Sequence, residues 1–107
     1  ARIARQIRAN NVKVVANAGG VNPQACAAEV RRLAPDLKVA IVTGDDLYDR
    51  LNTLLSAGHA MANMETGEPL ASIRDRILSA NAYIGAFPVA QALATGADVV
   101  IAGRCTD

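Results

Sequence analysis

Apolar positions fall along this chain in two alternating rhythms. Short β-branched runs recur at Val12-Lys13-Val14-Val15-Ala16, Val39-Ala40-Ile41-Val42-Thr43 and Val99-Val100-Ile101-Ala102. Their composition predicts strands. Their near-continuous apolar character predicts burial on both faces, as in a parallel sheet under helices. Between these runs the apolar residues return at helical spacing. Ile3 and Ile7 predict a helix over residues 1–9, broken at Asn10-Asn11. Asn22 is a good cap and Pro23 a good first residue for a helix reaching about Leu33. Pro35 closes it, because the residue before a proline avoids the α region. Leu47, Leu51, Leu54 and Leu55 predict a further helix, and Phe87 to Ala94 another, stopped by Gly96. Ile77-Leu78-Ser79-Ala80 reads as a weaker strand.

The alternation sets the fold class: an α/β protein with a mostly parallel sheet and helices on both faces, three-layered and doubly wound. Residues 1–107 read as a single α/β unit, with 57–74 as an irregular insertion containing Gly58, Gly67 and Pro69. The last strand has no helix after it and the first helix no strand before it, and there is no initiating Met. The expectation is therefore part of a larger domain, with the remainder of its own chain as a partner.

Composition narrows the function classes. The chain has 107 residues, about one domain's worth, with 51% hydrophobic and 20% charged residues. A net charge of +1 and 3% aromatic residues argue against a nucleic-acid or anionic-membrane partner. No apolar run approaches the roughly 18 residues of a membrane span, and the charged start is not a signal peptide. Cys26 and Cys105 are far apart and lack a CxxC partner, so they read as reduced, buried thiols of a cytoplasmic protein. His59 has no Glu or Cys at ligand spacing, so no metal site is indicated, and no particular cofactor is implied.

Chemistry in an open parallel sheet gathers outside the carboxyl ends of its strands. Four loops leave those ends: Asn17 to Asn22, Thr43 to Asp46, Asn81 to Gly85, and Gly103 to Asp107. In the first, Gly19 and Gly20 precede a helix start, where bare N–H groups can meet an anion. A tight turn capped by Asn22 explains the same residues. Asp45 and Asp46 can act as acid and base or hold a hard cation, or they can simply favour a helix N-terminus. Arg104 can clamp a carboxylate or phosphate, or pair with Asp107, Asp45 or Asp46. Tyr83 offers a hydroxyl, or only a ring to pack. The candidate catalytic residues are Asp45, Asp46, Arg104 and Asp107. The candidate ligand-binding residues are Asn17, Gly19, Gly20, Asn22, Asn81 and Tyr83. Met61 and Met64 read as gap fillers, with a rim cover or partner contact as the other reading.

Four strings at these loops resemble one known family. They are Val14-Val15-Ala16-Asn17-Ala18-Gly19-Gly20-Val21-Asn22-Pro23, Val42-Thr43-Gly44-Asp45-Asp46-Leu47, Ser79-Ala80-Asn81-Ala82-Tyr83-Ile84-Gly85-Ala86 and Gly96 to Asp107. In sequence and in order they resemble the acyclic terpene utilisation protein A family, whose large N-terminal domain was long a domain of unknown function. Residues 57–74 carry none of the resemblance. The resemblance implies a role in breakdown of acyclic terpenes such as citronellol and geraniol, beside acyl-CoA carboxylases. It also implies a longer chain with a further Gly-rich strand region. Two functions follow as expectations. One is an enzyme or enzyme subunit acting on a small carboxylate or CoA ester in acyclic-terpene or branched-chain acyl-CoA catabolism. The other is a non-catalytic scaffold of an acyl-CoA carboxylase-type assembly. Homo-oligomerisation is compatible with both.

Overall fold

The computed structural model describes residues 3–20 and 22–106. Contacts divide them into two compact units: the described parts of Ala1–Asp45 with Ala82–Asp107, and Asp46–Asn81.

The first unit contains a three-stranded parallel sheet. Its strands are β1 (Val14–Ala16), β2 (Val39–Val42) and β3 (Val99–Ala102), in the order β1-β3-β2. The register aligns Val14 and Val39 with Val99 on either side of the central strand. Helices α1 (Ala4–Ala9), α2 (Pro23–Leu33) and α4 (Phe87–Ala94) belong to this unit. Successive residues of a strand face opposite ways, and β3 shows this cleanly. Val99 and Ile101 pack with Ile7 of α1, Ala27 of α2, Ala34 and Leu37. Val100 and Ala102 pack on the other side with Val89 and Leu93 of α4. All four β3 residues are buried, which is why this run is apolar without alternation. Helices therefore cover both faces, and the expected three-layer α/β class is observed.

The strand order explains the layering. The path from β1 to β2 passes over β3 in one direction, and the path from β2 to β3 comes back in the other. Right-handed crossovers that run in opposite directions lie on opposite faces. Accordingly α2 lies on one face and α4 on the other. The chain leaves β1 and β2 toward different faces, and the carboxyl end of β3 lies between them.

Local sequence sets the element ends. The Asn22 side chain accepts a hydrogen bond from the Ala25 N–H at 2.9 Å, and Pro23 opens α2 where no partner for its nitrogen is needed. Gly96, at φ 86°, ends the α4 region in a left-handed turn that a side chain would strain.

The second unit starts with a 3-10 turn (Tyr48–Arg50) running into helix α3 (Leu51–Ser56), with Leu51 buried. The leucine pattern thus produces a 3-10 start and a short α-helix. Residues 57–69 have no regular element, and a 3-10 segment follows at Leu70–Arg76. Arg74 lies 5.2 Å from the Tyr48 ring centroid and donates from Nε to Asn52 at 2.9 Å. The Ile77–Ala80 run forms no strand. Leu78 is 92% exposed, so the run buries too little to hold a place in the sheet. Only Asn81, just after it, makes an isolated antiparallel bridge, to Asp46.

Candidate functional site

The carboxyl edge of the sheet is built by three short segments of the first unit, stitched through Asp45. Beyond β2 the chain turns at Gly44, whose φ of 118° belongs to glycine. That turn brings Asp45 back over the end of β3. Asp45 is 4% exposed. Its Oδ2 accepts the Arg104 N–H at 2.9 Å, and its carbonyl accepts the Ala82 N–H at 2.7 Å. The Arg104 carbonyl accepts the Ile84 N–H at 3.0 Å, and the Ile84 carbonyl accepts the Thr106 N–H at 2.8 Å. Segments 103–106 and 82–84 are thus fixed to the end of β2 by backbone bonds and one buried carboxylate. Gly103 is needed for this. A Cβ there would fall within the Asp45 carboxylate, touching both of its oxygens.

Arg104 is the charged group this construction presents. Its backbone is held from both sides, while its side chain is exposed. No hydrogen bond or ion pair engages its guanidinium among the described residues. Tyr83 lies between the two anchored residues Ala82 and Ile84 and is 66% exposed.

The β1–α2 loop is held by packing. Gly19 is buried, and a Cβ on it would meet Pro23 at 2.7 Å and Ile101 at 3.2 Å. Its lack of a side chain is explained by the closeness of α2 to β3. Gly20 has φ 53° and open space around it, and the Asn22 carboxamide caps α2. Asn17 is exposed.

Asp46 and Asn81 lie in the second unit. They bridge each other, and the Leu47 N–H donates to the Ala80 carbonyl at 2.8 Å. Asp46 Oδ1 accepts the Tyr48 N–H at 2.9 Å, a local Asx turn. Asp107 lies outside the described residues. Among the described residues no group of three or more His, Cys, Asp or Glu is placed to hold a metal ion. No helix of the described residues is long and apolar enough to cross a membrane.

The adjacent aspartates are alike in sequence, but only Asp45 is buried against β3. Gly103 and the backbone of Ala82 and Ile84 also belong to this edge, and none of them stands out in the sequence. The only signal was the small residue at the end of an all-buried strand, which acquires meaning once Asp45 is known to lie on it.

A three-layer parallel α/β unit with a polar rim at the carboxyl ends of its strands defines the class of this protein. Within that class the chain belongs to the acyclic terpene utilisation family: the model of the acyclic terpene utilisation family protein AtuA matches residues 1–107. The family places the chain in acyclic terpene utilisation. No curated protein and no solved structure matches it.

Proposed function

We propose that this chain supplies an anion-holding rim to an enzyme or enzyme subunit of acyclic terpene breakdown, acting on a carboxylate or CoA ester. The observation that carries the reading is Arg104. A guanidinium carried on a backbone fixed at both its N–H and its C=O has a firm anchor from which to pair with a carboxylate or phosphate. The backbone does not have to be ordered when an anion arrives, so the ordering cost is confined to the arginine side chain. Tyr83 carries a hydroxyl in the neighbouring segment, and the Asn17–Gly20 loop leaves β1 at the same carboxyl edge of the sheet. A thermal-shift series on the full-length protein with coenzyme A, acetyl-CoA and short branched carboxylates tests this. A stabilisation that grows with ligand concentration and disappears in Arg104→Ala supports it. The same shift in both proteins, or none in either, removes it.

A second reading has its own observation. Phe87, the first residue of α4, is 85% exposed close in sequence to the exposed Tyr83. Exposed aromatics favour a protein partner, and a scaffold of a carboxylase-type assembly would use them. Phe87→Ala should then weaken co-purification of that partner while ligand-induced stabilisation is unchanged.

A further inference from the structure

Resting on the reading of Arg104 as an anion anchor, we propose that Asp45 is the positioning residue for Arg104 and not an acid, base or cation ligand. A general base must reach a proton on its substrate. Asp45 is 4% exposed, and both its carboxylate oxygens lie against Gly103. One of those oxygens receives the Arg104 N–H. The carboxylate therefore lies against the turn that carries Arg104 and is almost closed to solvent. Its carbonyl holds Ala82, so a single residue fixes the two segments that present Arg104 and Tyr83. Gly103 completes the device. Its missing side chain lets the carboxylate settle directly over the end of β3, close enough for a 2.9 Å bond to the next N–H. What Asp45 supplies is an acceptor in the right place, and an amide oxygen can supply that too.

The test uses the full-length protein, coenzyme A as probe, and Asp45→Asn, Asp45→Ala, Arg104→Ala and the Asp45→Ala/Arg104→Ala double variant. Coenzyme A affinity is read by calorimetry, and amide hydrogen exchange over residues 103–106 is read by mass spectrometry. Asp45→Asn should keep affinity within about threefold and exchange near wild type. Asp45→Ala should lose about tenfold in affinity and exchange faster over 103–106. In the Arg104→Ala background the same Asp45→Ala change should cost no further affinity, since it acts only through Arg104. A residue of purely structural importance would lower the melting temperature in both backgrounds without this coupling. The proposal is overturned if Asp45→Asn loses as much affinity as Asp45→Ala with exchange at the wild-type rate, because the charge itself would then act. It is equally overturned if the losses of Asp45→Ala and Arg104→Ala multiply. Should coenzyme A fail to bind the wild-type protein, the anion-anchor reading falls. The exchange data still decide the latch: unchanged exchange over 103–106 in Asp45→Ala overturns it.

Discussion

The two edges of the sheet are closed by the same device and differ in what they do with charge. At the amino edge Asp98, the residue before β3, accepts the N–H of Lys38, the residue before β2, at 2.9 Å. At the carboxyl edge Asp45, beyond β2, accepts the N–H of Arg104, beyond β3, also at 2.9 Å. Each aspartate ties β2 to β3 through a backbone N–H. The amino-edge carboxylate is in addition neutralised by a side chain from the third strand region, with Lys13 Nζ at 3.1 Å. The Lys38 N–H and then the Lys13 ammonium hold the Asp98 carboxyl below the usual aspartate range. At the carboxyl edge the aspartate is more deeply buried, and the nearby cation, Arg104, is exposed. One edge uses its cation to hold strands together, whereas the other leaves it exposed.

The comparison breaks most readily at Gly103. Gly103→Ala forces a methyl group into the Asp45 carboxylate, and overpacking against a fixed buried group costs about 3 kcal/mol or more. Urea unfolding should show the largest loss of any substitution on either edge. Asp45→Ala comes next. It leaves the Arg104 N–H without its acceptor beneath a buried site, at about 1–3 kcal/mol in the same assay. A loss below that of an exposed control such as Gln24→Ala would show that the carboxyl-edge latch adds nothing.

The amino edge should respond to pH. The Asp98 carboxyl titrates lower in the folded state than in the unfolded chain, so the stability it contributes is present above the ordinary aspartate value. That contribution is lost as pH falls below about 4 and through the folded value. Asp98→Asn should lower the melting temperature at pH 7 and flatten its decline in acid. An unchanged acid limb would sink this assignment. The smallest effect is expected at Lys13→Ala. It removes one partly exposed ion pair and leaves the backbone bond to Asp98 in place, so the shift in melting temperature should shrink with added salt.

These edges also mark how far the sequence could be read. The three β-branched runs and the Asn22-Pro23 helix start were legible, because a strand buried on both faces and a capped helix each leave a local signature. The run at 77–80 misled for the converse reason: four residues resemble a strand whether or not neighbours cover them, and Leu78 has none that do. Asp45 and Asp46 could not be told apart, because adjacency in sequence hides which one folds back over β3. Asp98 was invisible as a latch, since its partners Lys13 and Lys38 are recognisable only once the strand order is known.

That order has a consequence for how the chain reaches its native state. The central strand is the last of the three to be synthesised. Asp98 and its amino-edge partners are separated by 85 and 60 residues. Because β1 and β2 flank β3 and do not pair with each other among the described residues, neither can pair with β3 until residues 99–102 have left the ribosome. β1 and β2 therefore wait for their common partner while the intervening residues are synthesised. Closure of long loops slows such folding, and the waiting strands are open to intermolecular association meanwhile. Expression at lower temperature or with a holdase chaperone should raise the soluble yield of this protein more than that of an α/β protein whose strands pair in sequence order.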